Sequence, residues 1–549
     1  MNIDVLLRQM TLEEKIGQIC VPILQKGDIT PEIEDCIKKY CVGMIRFCPN
    51  AEFDNASVVV GSPNPYKTAA ETAEFTNRLQ ELARETRNQI PLIIAVDQEG
   101  GTRNDVNRGG AMAYASHMCF GAANDAELTY RVAKATAEEF AAMGINMVQA
   151  PIVDVFRYRG RNTMKAATFG ESRELVTLHA EAMQKGFRDG GIIAMIKHFP
   201  GYGSLATDAH KGTAKITKSL TELEAEDLYP FRQLIQDGVD GIMTGHVIVE
   251  CLDKQYPATL SKTLIQDFLR DKMGFDGIIE TDAMRMRAIQ DNYGTGPAAV
   301  LAVAAGNDLV LLRGSMEHFL EGYHALTEAV LNGTLPISVI DSAVARILRL
   351  KAEKGLFQNP FADPDKASRL VGSSAHRELL RELAQRSVSV LKKKDLPLSL
   401  GEGERVLAIS PIPQKLEATL DKEQCPEILV RAVRERHANT VTLLTQLQPS
   451  EAEIKRALEL SAQADMIVAG TCNAILYENQ RNLVKALQQT GKTVVVVAME
   501  SPCDIDVLEN VENYVCMYGC AKDWAEEAAD CIFGGNAGAA RPPVTLQTC

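Results

Sequence analysis

The feature that most constrains the fold is the alternation of short apolar runs with amphipathic helical segments through about the first 320 residues. Eight apolar runs occur, over residues 16–21, 43–47, 92–97, 146–154, 192–198, 241–246, 277–282 and 308–312. The clearest helical segments between them, 127–143 and 174–188, have apolar residues at helical spacing. Eight strands that alternate with helices favour a closed (β/α)8 barrel over an open sheet.

Polar side chains stand at the carboxyl ends of five of these runs. They are Asp97, Asp154, the pair Lys197 and His198, His246 and Asp282. In a (β/α)8 barrel the carboxyl ends of the strands converge on one face, where active sites are built. We therefore expect these side chains to share one site at the mouth of the barrel.

A second block follows the barrel. Helices are predicted over 336–356 and 375–392, and residues 392–403 mix charge, Pro and Gly as linkers do. Further apolar runs then alternate with helices, at 406–410, 440–444, 465–469, 493–498 and 514–518. This spacing predicts a doubly wound α/β sandwich domain. The predicted organisation is a catalytic barrel over 1–365, a connecting helix and linker over 366–404, and the smaller domain over 405–549.

Composition limits the partners. The net charge of −14 argues against nucleic acid and anionic membrane surfaces, and no apolar run is long enough to span a bilayer. The first residues lack the pattern of a signal peptide. The 13 cysteines show no CxxC spacing, which favours buried reduced thiols, Cys472 at a predicted strand end included. We expect a cytoplasmic monomer or homodimer that acts on a small ligand, with no cofactor and no metal.

Residues 194–213 carry the most specific chemistry. They read Ala-Met-Ile-Lys-His-Phe-Pro-Gly-Tyr-Gly-Ser-Leu-Ala-Thr-Asp-Ala-His-Lys-Gly-Thr, an apolar strand that opens into a Pro/Gly loop. At its end, Asp208 is placed to orient the imidazole of His210, which makes His210 a candidate proton donor. A positioned histidine together with the strand-end Asp282 suggests acid/base and nucleophilic catalysis.

Several motifs follow one another in a fixed order. They are Ala-Val-Asp-Gln-Glu-Gly-Gly (95–101), Ala-Pro-Ile-Val-Asp-Val (150–155), Thr-Phe-Gly-Glu (168–171), Lys-His-Phe-Pro-Gly-X-Gly (197–203) with Asp-X-His, Pro-Ala-Thr-Leu-Ser (257–261) and Arg-Ile-Leu-Arg-Leu-Lys (346–351). With them the chain resembles glycoside hydrolase family 3, in its β-N-acetylhexosaminidase branch. The resemblance covers residues 1–395 well; beyond that it rests on the two-domain layout.

The resemblance implies a retaining exo-β-glycosidase. Asp282 would be the nucleophile that forms a glycosyl-enzyme, and His210 would protonate the leaving oxygen and later deprotonate water. Asp208 would hold the imidazole of His210. A histidine with an ordinary pKa near ~6.5 suits both proton transfers near neutral pH. The residues expected to contact the sugar are Asp97, Arg103, Lys197, His198, His246 and Met284.

The chain departs from the family pattern around the sugar pocket. Where the branch has Arg-Ser-Phe-Gly, this chain has Ala167 followed by Thr-Phe-Gly, and that arginine contacts sugar hydroxyls in relatives. A guanidinium fork is not easily replaced by another cation. Either Arg103, Arg161 or Lys165 reaches the pocket from another direction, or the sugar is not plain N-acetylglucosamine. We therefore expect an intact catalytic pair in an altered glycone pocket.

Other functions stay open at this point. A related β-glycosidase, a transferase or phosphorylase with altered sugar specificity, and a non-catalytic sugar-binding protein all fit the same scaffold. Lys197 at a strand end would suit a Schiff-base aldolase. A metal hydrolase built on His198, His246 and Asp282 is disfavoured, since no His-X-His or His-Glu-X-X-His spacing occurs.

Overall fold

The computed structural model describes residues 2–25, 28–48, 52–54, 57–59, 68–101, 103–106, 110–157, 166–205, 214–401, 403–412 and 427–547. Its larger part is a ring of eight parallel strands: β1 (Cys20–Gln25), β2 (Met44–Cys48), β3 (Ile93–Val96), β4 (Met147–Val148), β5 (Ile193–Phe199), β6 (Gly241–Thr244), β7 (Ile278–Thr281) and β8 (Val310–Leu312). The order is β7-β6-β5-β4-β3-β2-β1-β8, and a parallel bridge between Glu280 and Leu309 closes the ring. The predicted barrel is confirmed.

Two barrel strands differ most from the prediction in their bounds. Thr11 and Glu14 form a capping box that starts a helix at Leu12, so residues 16–19 are helical and β1 begins only at Cys20. The strand predicted over 146–154 is limited to β4. Pro151 lies in the predicted run, and a proline has no N–H with which to continue a strand ladder.

Helices surround the barrel, as the amphipathic segments predict. They span Ile3–Gln9, Leu12–Ile19, Pro31–Lys38, Ala69–Arg84, His117–Ala123, Ala126–Ala142, Arg173–Asp189, Leu220–Ala225, Leu228–Gln236, Arg287–Gln290, Thr295–Ala305, Met316–Leu331, Ile337–Glu353, Pro364–Leu370 and Ser374–Ser387, with a 3₁₀ turn at Ala258–Leu260 and a π-helix at Thr263–Lys272. Small accessory sheets are formed by Glu52–Asp54 with Ser57–Val59, by Gln98–Gly100 with Arg103–Asn104, and by Ala214–Ile216, Val247–Val249 and Asp253–Pro257.

The second domain is built on a six-stranded sheet. Its strands are β9 (Ser389–Lys393), β10 (Val406–Ile412), β11 (Thr440–Gln446), β12 (Met466–Thr471), β13 (Thr493–Ala498) and β14 (Asn513–Cys516), in the order β9-β14-β13-β12-β10-β11. Its helices span Ile428–Arg436, Glu451–Ser461, Glu478–Gln488 and Lys522–Phe533, with a 3₁₀ helix at Pro502–Val507. Strands β10 to β14 pair in parallel, which confirms the doubly wound domain.

The helix predicted over 375–392 is wrong in its last part. It ends at Ser387, and β9 follows as an antiparallel edge strand on β14. The chain thus enters the second sheet directly from the helix that leaves the barrel. Two buried hydrogen bonds hold this junction: Trp524 Nε1 donates to Ser387 Oγ at 2.8 Å, and the hydroxyls of Ser389 and Tyr518 lie 2.7 Å apart.

In the ranges described above, no helix combines the length and the apolar character needed to cross a membrane.

Candidate active site

A buried cluster of charges joins β2, β5 and the carboxyl end of β3. Asp97 follows β3 directly, and its side chain is 30% exposed. Lys197 Nζ, from β5, lies 2.6 Å from Asp97 Oδ1, and Arg46 Nη2, from β2, lies 2.6 Å from Asp97 Oδ2. Both cations are almost fully buried, at 2% and 4% exposure. Asp97 is therefore held between two cations while part of its carboxylate still reaches solvent.

The two cations set the charge state of Asp97. Burial alone would raise the pKa of Asp97, but Arg46 and Lys197 outweigh burial and lower it. Burial would likewise lower the pKa of Lys197 and of Arg46, and the neighbouring carboxylates raise both instead. All three side chains are therefore charged at neutral pH, and Asp97 is a permanent hydrogen-bond acceptor.

Two further carboxylates complete this cluster. Lys197 Nζ also contacts Glu99 Oε1 at 2.6 Å, and Arg46 Nη1 also pairs with Asp105. Asp105 Oδ2 accepts a hydrogen bond of 2.7 Å from the backbone N–H of Asp97. Burial and the negative charge of Asp97 raise the pKa of Asp105, against the opposing effect of Arg46. We call Arg46, Asp97, Glu99, Asp105 and Lys197 the ion-pair cluster.

Glu280 lies deeper in the barrel, on β7. It is fully buried, and Gln149 Nε2 donates to both of its carboxyl oxygens at 2.9 Å. Burial raises the pKa of Glu280 to about 8. A carboxyl that is protonated at neutral pH and removed from solvent is a poor nucleophile.

His198 is positioned by Asp154 and Tyr202. Asp154 Oδ2 lies 3.0 Å from His198 Nδ1, and Asp154 Oδ1 accepts a 2.6 Å hydrogen bond from the backbone N–H of Tyr202. The rings of His198 and Tyr202 stack with centroids 4.6 Å apart and an interplanar angle of 13°. Asp154 is fully buried, so it fixes the imidazole without facing solvent itself.

Asp282 follows β7 directly and is half-buried. Its backbone N–H donates to Thr244 O at 3.0 Å, and its Oδ1 accepts a 2.6 Å hydrogen bond from the backbone N–H of Ala283. His246 supports the same segment, because its Nε2 lies 3.0 Å from Ala283 O. These contacts fix the position and the rotation of the Asp282 side chain at the barrel mouth.

The other predicted site residues fall in different places. His246 is fully buried, with Nδ1 2.9 Å from Thr259 Oγ1, and its backbone N–H donates to the Tyr202 hydroxyl at 2.6 Å. Met284 is also fully buried. Asp208 and His210 lie outside the described residues, as does the side chain of Arg103. The roles predicted for these residues stay predictions.

Arg46 was missed by the sequence analysis. It stands in the middle of an apolar strand, Met-Ile-Arg-Phe-Cys, and a charged residue inside such a strand is the signal that was available. Arg46 places a guanidinium beside Asp97. The arginine that the family pattern has at position 167 is replaced by Ala in this chain. His117 does not supply the positive charge that is missing at position 167, because burial lowers its pKa to about 3. The neutral imidazole packs edge-on against the Phe169 ring. Arg161 and Lys165 lie outside the described residues.

The fold and the strand-end site define a barrel enzyme with a doubly wound second domain. Residues 11–350 match the glycosyl hydrolase family 3 N-terminal domain. The chain therefore belongs to glycoside hydrolase family 3 and is a glycoside hydrolase, as its motifs predict.

Individual relatives agree with this assignment. Beta-hexosaminidase A of Pseudoalteromonas piscicida is 28% identical over 535 residues, which cover 89% of this chain and 84% of that protein. A beta-N-acetylglucosaminidase/beta-glucosidase of Cellulomonas fimi is 28% identical over 386 residues, 66% of each chain. The solved structure of a family 3 beta-N-acetylglucosaminidase from Paenibacillus sp. str. FPU-7 superposes with a TM-score of 0.90 at 29% identity, over 98% of this chain and all of that one.

Proposed function

We propose that this protein is a retaining exo-β-glycosidase that releases a terminal β-linked N-acetylhexosamine. Asp282 attacks the anomeric carbon and forms a covalent glycosyl-aspartate, while His210 protonates the departing oxygen. Water then enters, His210 takes its proton, and the sugar leaves with its β configuration retained. Asp208 holds the His210 imidazole. The names of the relatives support the sugar, and the Asp-X-His motif supports the acid/base pair.

The observation that carries this proposal is the placement of Asp282 at the mouth of the same barrel that presents Asp97, Lys197 and His198. A carboxylate fixed by the Ala283 N–H is suited to attack, because little reorientation is needed to reach the transition state. An oxocarbenium-like transition state is also stabilised by a nearby negative charge.

The ion-pair cluster supplies the sugar-binding surface in this proposal. Asp97 stays ionised and partly exposed, so it accepts hydrogen bonds from sugar hydroxyls, and Lys197 and His198 add donors beside it. Charged partners make such hydrogen bonds stronger than neutral ones. Arg46 does not need to touch the sugar, because its effect is to hold Asp97 charged and in place.

The test is to trap the intermediate. The wild-type protein is incubated with an activated fluorosugar of the N-acetylglucosamine series, and the labelled peptide is identified by mass spectrometry. We expect the label on Asp282 and none in D282N. The matched control is D291N, the same substitution at an exposed aspartate, which should label like the wild type. A label on another side chain would refute the assignment of the nucleophile.

A second candidate is a glycone other than plain N-acetylglucosamine, and Ala167 favours it. A panel of aryl β-glycosides separates the two possibilities. Strong turnover of the N-acetyl-β-glucosaminide and little else would remove the altered-pocket hypothesis. The same panel with added phosphate tests transfer to phosphate, which would appear as a sugar phosphate among the products.

A further inference from the structure

Three potential metal ligands meet at the carboxyl edge of the second sheet, away from the barrel strands. Cys472 follows β12 directly, Glu500 lies two residues after β13, and Cys520 lies four residues after β14. These strands are neighbours in the sheet and run in parallel, so their carboxyl ends come together. The two Sγ atoms and a Glu500 carboxyl oxygen all lie within 4.8 Å of one another.

This spacing and this chemistry suit a zinc-type cation. Zinc binds thiolate sulfur at about 2.3 Å and carboxylate oxygen at about 2.0–2.2 Å in a tetrahedron, so its ligand atoms lie about 3.3–3.8 Å apart. Small side-chain shifts bring the three atoms to that spacing. Soft thiolates select zinc over calcium and magnesium, which prefer oxygen ligands. Three protein ligands leave one coordination position for water.

The surrounding contacts hold Cys472 in place. The Gln480 side chain clamps its backbone, accepting from the Cys472 N–H at 2.8 Å and donating to the Cys472 carbonyl at 3.0 Å. The chain then turns at Asn473, whose φ is 57°. Such fixed backbone contacts are typical of sites that present a ligand in one orientation.

The Asn473 side chain contacts two of the three potential ligands, and its amide oxygen lacks a hydrogen-bond partner among the described residues. Its Nδ2 donates to the Glu500 carboxylate and lies 3.7 Å from Cys472 Sγ. Its Oδ1 is buried and has no hydrogen-bond partner within the described ranges. Buried polar atoms normally have partners. A water on the fourth position of a metal would supply a donor for this oxygen, and the amide donor would orient the ligands as outer-shell groups do.

We propose that Cys472, Cys520 and Glu500 bind one zinc-type divalent cation. Both sulfur atoms belong to buried residues, 2% and 1% exposed, whereas Glu500 is half-buried, so Glu500 is the ligand residue that solvent reaches. Both cysteines are thiols rather than a disulfide. On binding, each thiol releases its proton to solvent and its sulfur becomes a ligand, so metal uptake releases protons and strengthens as pH rises.

The site adjoins the contact between the two domains. A Cβ atom on Gly519, next to Cys520, would lie only 2.3 Å from Ala115 O of the barrel, so the backbones are in close contact there. A cation that joins three strand ends would fix the segment that makes this contact. Since metal binds the folded protein, the stabilisation grows with the logarithm of the metal concentration relative to its Kd.

The experiment uses the full-length protein, reduced and stripped of metal with a chelator, and then titrated with Co²⁺. We expect a thiolate-to-cobalt charge-transfer band that saturates at one equivalent, and its loss when one equivalent of Zn²⁺ is added. C472S and C520S should each lose the band, with Zn²⁺ affinity reduced more than about 100-fold, beyond the usual effect of an outer-shell change. C531S is the matched control, a buried cysteine of the same domain, and should keep the band.

E500Q provides a test that does not depend on whether the cysteine variants fold, because glutamine has nearly the same shape as the half-buried glutamate that it replaces. It should keep both sulfur ligands but bind Zn²⁺ more weakly than the wild type, because a neutral amide oxygen replaces the charged carboxylate ligand. Absence of the charge-transfer band in the reduced wild type overturns the proposal, and so does a band of unchanged intensity in C472S and C520S. A Cys472–Cys520 disulfide that forms equally fast with and without Zn²⁺ would also overturn it.

Discussion

Replacing Arg46 by methionine tests whether the ion-pair cluster stabilises the barrel and prepares Asp97 for the sugar. Arg46 faces two carboxylates, those of Asp97 and Asp105. Charges about 4 Å apart interact by about 4 kcal/mol at an effective dielectric constant of about 20. Removing one partner of a buried pair typically costs about 3–5 kcal/mol, because a charge is left uncompensated. We expect R46M to be destabilised by that amount near neutral pH.

The sign of the pH dependence follows from Asp105. Its pKa in the folded protein is already raised by burial, and Arg46 is the group that opposes this. In R46M the folded pKa of Asp105 rises further above its unfolded value. The stability that depends on its protonated form is then present at low pH and lost as pH rises through the folded pKa. The deficit of R46M against the wild type should therefore shrink on acidification.

The double variant R46M/D105N separates charge balance from lost packing. Arg46 and Lys197 face Asp97, Glu99 and Asp105 in the wild type, a net charge of −1. The double variant restores this net charge and should recover about 0.5–3 kcal/mol. Far-ultraviolet circular dichroism should follow unfolding, because the single tryptophan, Trp524, reports on the second domain. Equal instability of R46M and the double variant, at all pH values, would refute the reasoning.

Three further substitutions test the rest of the site. D154N removes the charged acceptor from His198, worth about 1.5–3 kcal/mol, so kcat/KM for an aryl glycoside should fall about 10–100-fold; unchanged kcat/KM would contradict the positioning role of Asp154. Y202F leaves the backbone N–H of His246 without its acceptor and should cost about 1–3 kcal/mol in unfolding free energy, whereas a wild-type melting temperature would argue against this contact. E280Q should match the wild type below about pH 4 and become more stable than the wild type by about 1.4 kcal/mol per pH unit up to about pH 8, because over that range the unfolded chain releases the Glu280 proton while the folded protein, with a pKa of about 8, keeps it; parallel pH profiles would show that Glu280 is not buried in its protonated form.

The barrel was predictable because its signals are local. Each apolar run and each amphipathic helix is visible within a short window, and the eight strands appear in the predicted order. The secondary-structure prediction was wrong where residues outside a segment determine whether that segment is a helix or a strand. Residues 16–19 became helical because Thr11 caps a helix with Glu14, and residues 389–393 became a strand because Asn513–Cys516 offers an edge to pair with.

Part of the site was predictable for the same reason. Asp97, Lys197, His198 and Asp282 stand at strand ends, and the carboxyl ends of barrel strands meet on one face. The support of these residues was not predictable. The contact of His246 with Ala283 joins residues 37 positions apart, and no local pattern reports such a distance.

The order of strands and helices can be read from the amino-acid sequence, and so can the polar strand ends and the family motifs, because each depends on residues close together along the chain. Only the tertiary structure decided that Arg46 compensates Asp97 and that Cys472, Glu500 and Cys520 converge. A salt bridge or a metal site needs its atoms within about 4 Å of one another, so both depend on which distant segments the fold brings into contact.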